Sequence, residues 1–133
     1  MNRRVYIETT IPSFYFDVRR EPEMVARREW TRRWWKDARG GYELVTSAAV
    51  VEELSRADFP ARKVMPSNPV GDALHLALAS LHRCDFLLTW NCRHLANANK
   101  FDHIRRVNTL LGLFVPALVT PLELLGNEDE DRG

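Results

Sequence analysis

The sequence predicts an α/β fold: a parallel sheet with helices on both faces. Three observations predict it. Strand-like and helix-like stretches alternate along the chain, the pattern of parallel strands joined by crossover helices. Phe86-Leu87-Leu88-Thr89 is a short apolar run of the kind a strand covered on both faces presents. The run is fed by Asp72–Leu81, which is mostly Ala and Leu, with apolar residues on nearly every helical face. That composition favours a helix and predicts a buried one.

The elements follow in order. Arg4–Thr10 is rich in β-formers and reads as the first strand, ended by Glu8. Ile11–Phe16 is an aromatic turn or short helix, with Pro12 suited to a helix start. A helix is predicted from Pro22 to Arg39, with Glu21 and Glu23 at the positive end of its dipole and Gly40-Gly41 after its end. Val25, Ala26, Trp30 and Trp34 form its apolar stripe. Tyr42–Thr46 is the second strand, and Ser47 caps a helix through Ala57. Pro60, Pro66 and Pro69 mark residues 58–70 as loop. After the central helix and third strand come a short helix over Arg93–Ala98 and a longer one over Phe101–Gly112. The inner face of the latter is read as Phe101, Ile104, Val107 and Leu111. Ala117–Thr120, flanked by Pro116 and Pro121, is the last strand and suits a sheet edge.

Composition narrows the class of protein. At 133 residues and 45% hydrophobic, the chain can bury one core. Residues 1–126 are expected to form one domain, and 127–133 an acidic, disordered tail holding Glu128, Asp129, Glu130 and Asp131. No apolar run reaches the roughly eighteen residues of a membrane span. No signal-peptide core precedes the first strand, so the chain is expected to be cytoplasmic. Cys84 and Cys92 have no zinc-ligand spacing and are expected as free thiols. The first strand is not followed by a Gly-rich turn, which argues against a dinucleotide site. Net charge is +1, yet Arg27, Arg28, Arg32, Arg33 and Lys36 crowd one helix. They read either as a solvated face or as contacts to RNA or an acidic partner.

In such sheets chemistry collects at the C-terminal ends of the strands. Glu8 ends strand one, Asn91 follows strand three, and Asp72 opens a helix. On the helix after strand two, Val50, Val51, Leu54 and Ala57 define the inner face at about 100° per residue. Glu52 then points away, and Glu53 falls at the inner margin. Three converging acids repel one another unless a cation lies between them. Their hard oxygen ligands suit Mg²⁺ or Mn²⁺, which neutralises charge on a phosphodiester and activates water. Plainer readings stand beside this one: Glu8 as an exposed strand-end acid, Asp72 as an N-cap, Asn91 as a turn residue. His75 either supports the site or is a satisfied buried histidine. Thr9 and Ser47 either aim hydroxyls at the site or serve as turn and cap.

Taken in order, these pieces resemble the PIN domain, and within it the VapC-type toxin ribonucleases. The matching stretches are Tyr6-Ile7-Glu8-Thr9-Thr10, Thr46-Ser47 through Val51-Glu52-Glu53-Leu54, Gly71-Asp72-Ala73 with its helix, and Leu87-Leu88-Thr89-Trp90-Asn91. The resemblance implies a Mg²⁺- or Mn²⁺-dependent endoribonuclease with an antitoxin partner. Glu8, Glu53 and Asp72 match the family's first three acids and would hold the metal. Asn91 falls where a fourth acid is usual and is carried over as a neutral catalytic contributor. The family's extra helix, edge strand and helix do not fit into Asp58–Gly71. The resemblance therefore implies a shortened member with four strands in the order 2-1-3-4, its second strand an open edge covered in a homodimer. The alternative is a catalytically silent PIN-like protein that binds a partner in a toxin–antitoxin or nucleic-acid complex.

Overall fold

The strand β1 (Arg3–Ile7) is central because residues on both of its faces are buried and both of its edges are paired. A computed structural model describes residues 2–56, 69–92 and 100–125, the side chains of residues 56, 69–73 and 100–104 excepted. In it β1 pairs with β2 (Tyr42–Val45) and β3 (Phe86–Leu88), and β3 pairs with β4 (Ala117–Val119). All pairs are parallel and the order is β2-β1-β3-β4, the expected sheet. Val5 lies opposite Leu44 and Phe86, and Tyr6 opposite Val45 and Leu87.

Side chains alternate across the sheet with period two, so each strand feeds two cores. On one face Val5, Leu88 and Val119 meet Ile11, Trp34 and Leu124. These come from α1 (Thr10–Tyr15), α2 (Pro22–Asp37) and residues 121–125. On the other face Tyr6 and Leu87 meet Val50, Leu76 and Ala79, from α3 (Ala48–Arg56) and α4 (Pro69–Leu81). A fifth helix, α5 (Lys100–Leu110), packs on α4. Each fully buried large apolar side chain, such as Leu87 or Leu88, contributes about 1.5–3 kcal/mol.

Two helices end with the same chain reversal. After α4, Cys84 N–H bonds Ala79 C=O and Arg83 N–H bonds Ser80 C=O; after α5, Leu113 N–H bonds Asn108 C=O and Gly112 N–H bonds Thr109 C=O. Both are Schellman closures, which need a left-handed residue just past the helix. Gly112 supplies it at φ 71°, whereas Arg83 takes it at φ 55°. The left-handed conformation costs a residue with a Cβ roughly 1–2 kcal/mol. Arg83→Gly is therefore expected to stabilise the fold by roughly 1 kcal/mol. Unchanged or lowered stability in urea unfolding would contradict this.

Three sequence expectations are corrected. The helix α4 is not buried all round: Leu74, Ala77 and Leu81 are exposed, Leu81 by 65%. Only its other side, with His75, Leu76, Ala79 and Ser80, faces the sheet and α5. Val51 is 57% exposed rather than inward, because Val50 and Leu54, four apart, already take the sheet-facing side of α3. On α5, Val107 and Leu111 are exposed and Asn108 is the buried residue, its Nδ2 donating to Ser80 Oγ at 2.8 Å. Among the described side chains of that helix, Asn108 is the one turned to α4 through a hydrogen bond. The start of α4 at Pro69, an N1 position that suits proline, also trims the expected loop. The missing strand expected before Asp72, the 93–98 helix and the 127–133 tail concern residues 57–68, 93–99 and 126–133, which lie outside the described residues.

Candidate active site

Glu8 follows the last residue of β1 at the C-terminal edge of the sheet, where the ends of β3 and the start of α1 meet it. It is 3% exposed. Three donors converge on its Oε2: the Thr10 N–H at 2.9 Å, the Thr10 hydroxyl at 2.5 Å and the Thr89 hydroxyl at 2.8 Å. The two hydroxyls are aimed in turn, because Thr10 Oγ1 accepts the Trp90 N–H and Thr89 Oγ1 accepts the Asn91 N–H, both at 2.9 Å. Among the described residues no hydrogen bond reaches Oε1 and no Lys or Arg pairs with the carboxylate. Burial pushes the Glu8 pKa up; the bonds from Thr10 and Thr89 and the neighbouring His75 oppose that shift without cancelling it. The result is a carboxylate cradled for its ionised form, with no Lys or Arg beside it among the described residues.

Glu53 reaches the same edge from α3. Thr9 Oγ1 donates to its Oε2 at 2.6 Å, and His75 Nε2 bonds its Oε1 at 2.7 Å. On the ring's other side, His75 Nδ1 is hydrogen-bonded to the Tyr6 hydroxyl at 2.8 Å. The Tyr6 hydroxyl is also hydrogen-bonded to Ser47 Oγ at 2.6 Å. Ser47 also takes the Val50 N–H at 3.4 Å, a long bond at the cap position expected for it. Burial pushes the Tyr6 hydroxyl up to about 12, so it serves as a neutral phenol. His75 is 1% exposed and Tyr6 is fully buried. Ser47, Tyr6, His75, Glu53 and Thr9 thus form one hydrogen-bonded chain that joins β1, α3 and α4.

Of the residues singled out from sequence, the structure brings Glu8, Thr9, Ser47, Glu53 and His75 to one edge. Asp72 lies in α4, three residues before His75, with its side chain outside the described residues. Asn91 is half-buried just beyond β3. Tyr6, Thr10 and Thr89 complete the site and were not singled out; only their positions at the ends of strands one and three could have pointed to them. Among the described residues no group of three His, Cys, Asp or Glu is poised to hold a metal. The set that can take part, Glu8, Glu53 and Asn91, offers oxygen donors, which suits a hard cation. Cys84 and Cys92 are free, and burial pushes both thiols up to about 11, so neither is a thiolate at neutral pH.

The basic residues of α2 are tied within the chain. Arg27 pairs with Glu23 and Arg28 with Glu29, Arg32 donates to the Tyr15 carbonyl, and Arg33 lies 3.9 Å from Asp37. Lys36 is exposed. No helix of the described residues is long and apolar enough to cross a membrane. No family model, curated protein or solved structure matches the chain.

Proposed function

We propose that the chain is a metal-dependent endoribonuclease of the PIN, VapC-like kind, with Glu8, Glu53 and Asp72 holding Mg²⁺ or Mn²⁺. One observation carries the reading: Glu8 is buried, held by three donors on one oxygen, and among the described residues its other oxygen accepts no hydrogen bond and no Lys or Arg pairs with it. A divalent cation supplies a counter-charge, and when bound it lowers the pKa of water and neutralises charge on a phosphodiester. The chain's own residues do the rest. Thr10 and Thr89 hold Oε2 of the Glu8 carboxylate, and Oε1 takes no hydrogen bond among the described residues. Thr9 and His75 each take one lone pair of Glu53 and leave one on each oxygen. The hydroxyls of Thr9, Thr10 and Thr89 are all committed to carboxylates, so a carboxylate is the group left to accept a proton from an attacking water.

The test is calorimetric titration with Mn²⁺ beside cleavage of a single-stranded RNA pool. Asp72→Asn is expected to abolish cleavage with the fold intact, and Asn91→Asp to tighten Mn²⁺ binding by adding a charged ligand. A neutral Asn91 in the fourth position favours the second reading, a silent binder. Absence of both Mn²⁺ binding and cleavage would establish that reading over the first. The proposal extends to an antitoxin partner, a cytoplasmic setting and a homodimer. Among the described residues β2 pairs only with β1, and an apolar groove of about 510 Å³, lined by Phe16, Trp35, Leu44 and Val51 among others, opens beside it. Open edges and apolar patches favour coverage by another chain. Light scattering on the same sample reports the mass, and a monomer would remove the dimer from the proposal.

A further inference from the structure

Trp90 directly follows Thr89, whose hydroxyl holds Glu8, and the Trp90 backbone N–H holds Thr10. Its backbone therefore adjoins the Glu8 cradle. The ring is fixed by its Nε1–H, which donates to Thr31 Oγ1 at 2.8 Å. Trp30 lies against it with centroids 6.3 Å apart and 27° between planes, and Phe14 meets it edge-on at 6.0 Å. Arg27 sits over this group, its guanidinium carbon 5.6 Å from the Phe14 centroid and 5.7 Å from that of Trp90. Trp30, Trp90 and Arg27 are all half-buried, so none of them is enclosed in the core.

Arg27 differs from its basic neighbours. Arg28 and Arg32 spend donors on the carbonyls of Asp17 and Tyr15, and Arg33 is beside Asp37. The carboxylate on Arg27 belongs to Glu23 at 2.8 Å, on a side chain that is 66% exposed, and so competes weakly with a better-placed anion. A fixed indole pair and an adjacent guanidinium match the two parts of an unpaired nucleotide. A base stacks on the rings, and a phosphate takes the paired N–H groups of the arginine. Bases inside a duplex are already stacked and do not offer their faces.

We infer that Trp30, Trp90 and Arg27 form a subsite for one unpaired nucleotide of single-stranded RNA, next to the Glu8 edge. The inference rests on the nuclease reading for its substrate. It is tested by tryptophan fluorescence of the full chain titrated with a ten-nucleotide single-stranded RNA of randomised sequence, in EDTA. Binding is expected to quench the fluorescence. Arg27→Met keeps the packing on the rings and should weaken affinity roughly tenfold. It should also make the slope of log K against log salt shallower by about 0.7, the value for one phosphate contact on a single strand. Arg27→Lys should restore the slope. Trp30→Leu should weaken binding roughly tenfold and reduce the quenching. Thermal melts check that each variant folds.

Absence of RNA binding by the unmutated chain, or unchanged affinity and slope in folded Arg27→Met, overturns the subsite. Should the unmutated chain bind Mn²⁺ and cut RNA while Arg27→Met leaves KM unchanged, the nuclease reading survives and the subsite fails. Should the RNA bind through Arg27 and Trp30 while Mn²⁺ binding and cleavage are absent, the subsite survives and the nuclease reading fails.

Discussion

Glu8→Gln is expected to yield a protein that is more stable without metal at neutral pH and no longer cuts RNA. The Gln carbonyl oxygen can take the same bonds from Thr10 and Thr89, so the cradle persists while the charge is removed. Burial raises the Glu8 pKa, so the folded chain holds that proton more tightly than the unfolded chain does. The stability this contributes is fully present below about pH 4.3, where an exposed glutamate ionises, and is lost as pH rises through the higher folded value. In EDTA, the Tm of the variant should exceed that of the unmutated chain at pH 7–8, and the gap should close towards pH 4. Mn²⁺ should raise the Tm of the unmutated chain and leave the variant's in place. Cleavage should fall by at least about a hundredfold, the usual scale for removing one electrostatic contributor. A Tm gap that does not change with pH would mean that the buried charge is compensated by another route. Cleavage retained by the variant would remove Glu8 from the site.

The second large effect belongs to His75. His75→Ala empties a fully buried position and leaves the Tyr6 hydroxyl and one Glu53 oxygen without their partner. Cavity and lost hydrogen bonds together are expected to cost roughly 3 kcal/mol, a fall in Tm of about 10 °C. Glu53 would lose one of its two orienting bonds, so Mn²⁺ affinity should fall as well. His75→Gln offers an amide N–H where Nε2 stood and should recover part of the Mn²⁺ affinity. Tyr6→Phe, which removes the link between Ser47 and His75 in the same chain, should cost about 1–2 kcal/mol. An unchanged Tm in His75→Ala would contradict the network, and unchanged Mn²⁺ affinity would limit His75 to packing.

The fold was legible because the strands are short and apolar on both sides. Val5 and Tyr6, or Leu87 and Leu88, are adjacent and both buried, which only a sheet covered twice allows. The strand order came with the family resemblance rather than from the residues. Helix rotation was less legible. Val107 in α5 and Leu111 just past it are exposed, while Asn108 is buried and bonded to Ser80, a pairing that apolar periodicity does not register. In the site, placing Glu53 rather than Glu52 at the inner margin was a matter of helical angle, and Glu53 is the one hydrogen-bonded to His75 and Thr9. Tyr6, Thr10 and Thr89 were hidden for a chemical reason. All three are ordinary β-formers at strand ends, and a hydroxyl shows its purpose only when the carboxylate or ring it serves is placed.

The central position of β1 also dictates an order of events in synthesis. Its pairing partners arrive late: Val5 meets Leu44 and then Phe86, and the Thr89 hydroxyl reaches Glu8 across 81 positions. Contacts so distant in sequence are slow to form, and chains emerge from the ribosome at about 5–20 residues per second. A nascent chain that ends before β3 carries Glu8 with neither the Thr89 donor nor the Leu88 strand that buries it. The carboxylate then sits in water with an ordinary affinity for protons. Products that end before β3 therefore lack the cradle, which does not exist until the third strand has left the ribosome.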